Sequence, residues 1–232
     1  MDILESIHPS WQAFFAPRMG MLETILKKIE GESYHPPRDL IFRFAKMELD
    51  RVRVVVLGQD PYPQPGAATG RSFEVAGLSS WQGAIRQSSL RNIVRAICLA
   101  KTGELLPWRE VQARIAGGRF PILPPNRLWD ALEAQGVLFL NAYLTCREGA
   151  PLSHRRLWEP FAHELVAYID TARGADAAWF LWGADARGYG AYIAHGKRYE
   201  SRHPMMAGRE PDGFLQNPCF AETAGMISWT GL

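Results

Sequence analysis

Asp60, Asn141 and His203 each stand just past a short stretch rich in apolar or β-prone residues, a position from which a polar side chain can do chemistry. A carboxylate can hold a water or offset a growing positive charge. A side-chain amide has one acceptor and two donors, and a neutral imidazole keeps one N–H to donate. Two aromatic residues, Tyr62 and Phe73, lie close to the acid in the string VVVLGQDPYPQPGAATGRSF. Taken singly, each has a plainer use: Asp60 or Asn141 forming a turn, Phe73 filling a core, His203 occupying a loop. Their case rests on being delivered together.

The elements that would deliver them are legible. Val54 to Leu57 is four apolar residues in a row, and a strand with only one buried face would alternate polar and apolar side chains. The run predicts a strand over Arg53 to Leu57 with both faces covered, followed by a bend at Gly58 and the loop bearing Gln59, Asp60 and Tyr62. Pro61, Pro63 and Pro65 fix φ and remove N–H donors, so this loop is expected to be rigid. GVLFLN, ending at Asn141, and AAWFLW, from Ala177 to Trp182, read as two more buried strands, and Lys197 to Ser201 as a short fourth that carries His203 to the same edge. Helical segments are predicted at Met21 to Ile29, from Pro36 and Pro37 through Leu49, after Ser88 and Ser89, whose hydroxyls can cap that helix, over Leu128 to Gln135 and over Leu157 to Ala172. Ser10 is expected to cap a further segment through Phe15, and a loop is expected through Pro121, Pro124 and Pro125. Strands alternating with helices predict an α/β fold, a central, mostly parallel four-stranded sheet flanked by helices, in a single domain over 1–232.

Composition narrows the class. The 232 residues are 47% hydrophobic and 22% charged, near globular averages. No apolar run approaches the roughly 20 residues needed to span a bilayer, which predicts a soluble, cytoplasmic protein. Cys98, Cys146 and Cys219 are far apart, without a CxxC pair, and suggest neither disulfides nor a zinc site. A net charge of +2 does not by itself point to a polyanion. Local clusters, Arg147 with His154, Arg155 and Arg156, then Lys197, Arg198, Arg202 and Arg209, are either solvated surface or a contact for one.

The strings GQDPYP and GAATGRSF resemble the water-activating loop of the family-1 uracil-DNA glycosylases, GQDPYH then G-x-A-x-G-x-x-F. GVLFLNAYLTCREGAPLSH is similar to their GVLLLN-x-x-LT-x-x-x-G-x-x-x-SH, FLWG to their LLWG, and HPMMAG to their HPSPLS. The resemblance covers about Pro37 to the C-terminus and implies removal of uracil from DNA at the start of base-excision repair. It implies Asp60 and His203 as catalytic groups, Gln59, Tyr62, Phe73 and Asn141 as base-binding groups, and no metal or cofactor. Phe73 would stack on uracil, Tyr62 would exclude a thymine methyl, Asn141 would pair with N3–H and O4, and His203 would donate to O2. Ser88, Ser89, Met206, Ala207 and Arg209 would meet the DNA. Partners implied are uracil-containing DNA, single- or double-stranded, and no membrane; a monomer is expected.

Departures from that pattern are equally specific. Pro63 stands where the family has His, which predicts an altered rate. The Ser loop lacks its usual prolines. Met205 and Gly208 replace phosphate-contacting serines, and Ala207 replaces the intercalating Leu. Phage inhibitor proteins that mimic DNA enclose that Leu, so such a protein is expected to bind this chain weakly or not at all. The competing reading is a glycosylase-fold protein retained for DNA binding or as a scaffold. Retention of Asp60, Asn141 and His203 argues against it. An α/β hydrolase or P-loop enzyme is disfavoured because neither GxSxG nor GxxxxGK[ST] is present.

Overall fold

A computed structural model describes residues 3–206 and 213–232. Four strands, β1 (Val54–Gly58), β2 (Val137–Asn141), β3 (Ala178–Trp182) and β4 (Lys197–Ser201), form one sheet in the order β2-β1-β3-β4, every pairing parallel. The first three are buried at every position, as continuous apolar runs require in a parallel sheet covered on both sides. Period-two alternation divides their side chains. Val55, Leu57, Leu138, Leu140, Trp179 and Leu181 face one core, shared with the N-terminal segment and with helix Arg155–Arg173. Val54, Val56, Val137, Phe139, Ala178 and Phe180 face the other, shared with the remaining long helices and the C-terminal segment.

The helices are α1 (Met19–Lys28), α2 (Ser88–Thr102), α3 (Trp108–Ala116), α4 (Pro125–Ala134) and α5 (Arg155–Arg173), with shorter turns between. In α2 the buried residues Leu90, Ile93, Val94 and Ile97 recur at helical spacing, and the helix stops at Gly103, whose φ of 76° suits a residue without Cβ. None of the described helices is long and apolar enough to cross a membrane.

Several expectations are corrected. The helix expected from Pro36 through Leu49 is a string of short 3-10 turns at Arg38–Leu40, Arg43–Lys46 and Leu49–Arg51. Its backbone is engaged elsewhere: Ala45 O accepts from His8 N at 2.8 Å, and Leu49 N donates to Ser10 Oγ at 2.9 Å. Ser10 therefore ties two segments together, and the side chain capping the first turn is that of His8. Ser88 and Ser89 make no cap, because α2 begins at Ser88 itself with Gln87 before it and no capping side chain. α3 falls in a stretch for which the sequence predicts no element; its amphipathic face buries only Val111 fully, too weak a periodicity to see. β1 starts one residue later than predicted, α4 three residues earlier and α5 two residues earlier. His154, grouped with surface cations, is buried at 3% exposure between Thr145 Oγ1 at 2.8 Å and Glu32 Oε2 at 2.9 Å. All three cysteines are buried and unpaired.

Candidate active site

Parallel register places the carboxyl ends of the strands side by side: Gly58 pairs with Asn141, and Trp182 with Ser201. The loop after β1 is then zipped to the segment after β2. Gly58 O accepts from Ala142 N, Gln59 O from Tyr143 N and Pro63 O from Gly149 N, each at 2.9 Å. Cys146 Sγ donates to Pro61 O at 3.3 Å. These bonds, added to three prolines, make the acid-bearing loop a fixed platform. It borders a cleft of about 360 Å³ at the carboxyl edge of the sheet, where Asp60, Tyr62, Phe73, Asn141 and His203 all contribute.

Asp60 is held from two sides. Leu152 N donates to Oδ2 at 2.6 Å, and Gln59 Nε2 to Oδ1 at 3.1 Å. Burial pushes the carboxyl above its ordinary range; the two hydrogen bonds pull it back, and the carboxylate of Asp185 adds a smaller upward push. Leu152 has φ of 63°, one of two non-glycine residues in the left-handed region among those described. Such backbone costs about 1 to 3 kcal/mol and persists only where the surroundings hold it; here it aims an N–H at the acid.

The other left-handed residue is Phe73, at φ 62°. Its ring centroid lies 5.5 Å from that of Trp182 and 6.0 Å from that of His203, so it forms one wall of the cleft. Burial raises the Tyr62 phenol to about 12, which keeps it neutral. Asn141 is 4% exposed, and its amide bonds to no other described residue, leaving it free for a ligand. A Cβ added to Gly58 would stand 2.5 Å from Asn141 Oδ1 and 2.7 Å from the Ser72 Cβ. Overpacking of this kind costs about 1 to 3 kcal/mol, so Gly58→Ala is expected to displace the amide and lower activity about tenfold or more with the fold retained. Steady-state kinetics beside a thermal melt checks it, and unchanged kinetics would show that the amide does not need that glycine.

His203 accepts a hydrogen bond at Nδ1 from Met205 N, 3.2 Å away, so a neutral ring carries its proton on Nε2. Burial lowers its pKa, which favours that neutral form, while Asp185 opposes the shift. Gly183, at φ 99°, leaves the ring room: a Cβ there would lie 3.1 Å from the His203 Cβ. Asn92 Nδ2, from α2, anchors the same segment through Pro204 O at 2.8 Å.

Most of the predicted residues come together. Gln59 borders the cleft but spends its amide on Asp60; Ser89 reaches the rim, whereas Ser88 does not border it. Met206 is 38% exposed, and Ala207 and Arg209 lie outside the described residues. Sequence reasoning missed Leu152, which acts through its backbone, together with Trp182 and Asp185. The turn string REGAP marks a bend before Leu152 but not its target. Asp185 borders the cleft, with Arg155 Nη1 3.3 Å from its Oδ1. Among the described residues no three His, Cys, Asp or Glu converge as a metal site would require.

No family model matches the chain. Individual proteins do. A uracil-DNA glycosylase of Parafrankia sp. is 32% identical over 249 aligned positions, spanning 98% of this chain and 96% of that protein. Another, from Thermobifida fusca, is 31% identical over 99% of this chain and 92% of its own length. Among solved structures, the wild-type UNG of Nitratifractor salsuginis superposes with a TM-score of 0.71 at 27% identity, covering 96% of this chain and 92% of that one. Mimivirus uracil-DNA glycosylase, 22% identical over 88% of this chain and 71% of its own, gives a TM-score of 0.68, a likeness of fold. A mimivirus variant of 21% identity was solved in complex with UGI. Sharing about a third of its residues with such relatives over nearly its whole length, the chain belongs to the uracil-DNA glycosylase family.

Proposed function

We propose that this protein hydrolyses the N-glycosidic bond of uracil in DNA, the opening step of base-excision repair, working in the cytoplasm as a monomer. The observation that carries this reading is the convergence of Asp60, Phe73, Asn141 and His203 on one cleft from segments far apart in the chain. A base inside a duplex cannot be reached, so it must leave the stack at a cost of a few kcal/mol, less from a mismatch or a single strand. In the cleft, uracil stacks on Phe73, abuts Tyr62 and pairs with the Asn141 amide. Cytosine presents the opposite polarity at N3 and C4, and each buried polar group left unpaired costs about 1 to 3 kcal/mol.

As the bond to the sugar breaks, positive charge develops on the sugar and negative charge on the base. Asp60 holds a water toward the anomeric carbon and offsets the first; the Nε2–H of His203 donates to O2 and offsets the second. Gln59 and the Leu152 N–H keep the carboxylate aimed. Pro63, in place of a polar side chain beside the water, changes the rate without abolishing the reaction. Release of free uracil from a labelled strand, lost when Asp60 becomes Asn, is the direct test; a protein kept only for binding or as a scaffold would release none.

Met206 or Arg209 takes over part of the wedge that Ala207 is too small to supply, since an apolar chain or a guanidinium plane can occupy the gap between bases. The double change Met206→Ala, Arg209→Ala is expected to lower duplex cleavage severalfold while sparing single strands. Equal duplex activity would remove the wedge from this reading. For the same reason a phage DNA-mimic inhibitor loses its apolar anchor and is expected to inhibit weakly at best. Stoichiometric inhibition at nanomolar protein would contradict that expectation.

A further inference from the structure

We propose that Arg71 is a positioning residue for base binding, a brace that holds Phe73 in its left-handed conformation and so keeps the ring on the cleft wall. The inference rests on Phe73 being the stacking platform. An aromatic residue at φ 62° crowds its own carbonyl and relaxes unless neighbouring contacts forbid it.

The contacts that hold it are made by its neighbours in the chain, some before Phe73 and one spanning it. Before it, a Cβ on Gly70 would fall 2.3 Å from Leu40 O, and Ser72 Oγ donates to Val56 O inside β1 at 2.9 Å. Across it, the Arg71 guanidinium meets Glu74 through Nη1 at 3.3 Å, joining the residues that flank Ser72 and Phe73. The same group is fastened to α4, through Nη2 to Asp130 Oδ1 at 2.7 Å and through Nε to Glu133. One planar fork thus closes the loop over Phe73 and bolts it to a helix of the core, a geometry no ammonium reproduces.

Burial shows that the arrangement is built. Arg71 is only 6% exposed, although its carboxylate partners lie progressively nearer solvent, at 14% for the Glu74 side chain, 27% for Glu133 and 68% for Asp130. A guanidinium is rarely buried so deeply without full pairing. Arg71 borders the base cleft on one side and an outer depression shared with Asp130 and Glu133 on the other. Changes on the outer surface therefore reach the platform chiefly through Arg71, with Arg43 a second, looser link between Asp130 at 3.6 Å and Thr69 O at 3.4 Å.

Two variants test the brace. Arg71→Met keeps the stem and deletes the fork; the pair Asp130→Asn, Glu133→Gln releases the helix end while leaving Arg71 paired with Glu74, and decides the matter if the first does not fold. Stacking is present before and during bond breakage, so KM for a uracil-containing single strand and Kd for free uracil by calorimetry are expected to rise about tenfold, with kcat within about twofold. Arg71→Lys is expected not to restore them. The 13Cα and 13Cβ shifts of Phe73 are expected to leave the left-handed range. A role in stability alone would lower the melting temperature and move none of these. Folded variants with unchanged KM, uracil Kd and Phe73 shifts overturn the proposal. Should the wild-type protein release no uracil, the functional reading fails, and the Phe73 shifts still decide the brace.

Discussion

Asp60→Asn is expected to lower the rate of uracil release about 10³-fold while raising the melting temperature at neutral pH. The loss follows from charge. Asparagine keeps the shape: its one oxygen can accept from the Leu152 N–H, and its NH2 can donate to Gln59 once that amide turns over to present its own oxygen, so the loop is held, but it neither offsets a cationic sugar nor takes a proton from water. Because the charge it offsets develops only as the bond breaks, kcat should carry the loss and KM should stay close to the wild-type value.

The gain in stability has the opposite origin and a definite sign. Burial raises the folded-state pKa of Asp60 above its unfolded value. Between those two values the native state binds more protons than the unfolded one, so stability falls as pH rises through that window, and the cost stays in full above it. Asparagine carries no such cost. The melting-temperature gap between variant and wild type should therefore be widest near neutrality and close below the ordinary carboxylate range. A gap of equal size at pH 3 and pH 7 would trace it to something other than the buried charge. On the proposed mechanism only the ionised form works, so the same raised pKa is expected to move the acid limb of wild-type kcat/KM upward from that of an ordinary carboxylate.

What could be read from the sequence, and what could not, follows from the range of each interaction. Runs such as VVVL, VLFL and AWFL announce strands because burial on both faces leaves no place for polar residues, and the residue ending each run is then delivered to the sheet edge. Asp60 and Asn141 were legible in this way; His203 follows Lys197–Ser201, a strand with only two buried positions, and was legible from its HP string instead. Leu152 was not: its contribution is a backbone N–H reaching an acid 92 positions away, and any residue type has that N–H. Arg71 was not legible either, because its three carboxylates include two on a helix some sixty residues later. Ser88 and Ser89 misled in the opposite direction, having the right chemistry for a cap where the helix already begins. The string from Pro37 to Leu49 misled because its carbonyls and N–H groups are answered by residues near His8, a tertiary demand that local propensity does not contain.

His203→Ala is expected to cost about 10² to 10³ in kcat with KM nearly unchanged, because a preorganised donor in a water-poor site matters most when negative charge appears on the base. The backbone prepares this imidazole to donate. Met205 N–H occupies Nδ1, which leaves the single proton of the neutral ring on Nε2, and Gly183 leaves the ring the space to hold that pose. Burial depresses its pKa, which favours the neutral donor, and the acid limb of the wild-type profile is expected to follow Asp60. The alanine variant should therefore keep the wild-type limb while losing rate at every pH. Its stability should differ as well. With the folded pKa below the unfolded one, the wild-type protein loses stability as pH falls from the ordinary imidazole range toward the lowered value, and the variant should lack that component of the loss. His203→Gln, which retains an N–H donor, is expected to recover part of the rate. If alanine and glutamine were equally slow, a bond donated to the base would not be what His203 contributes, and a displaced acid limb in either variant would move the titrating group from Asp60 to the imidazole.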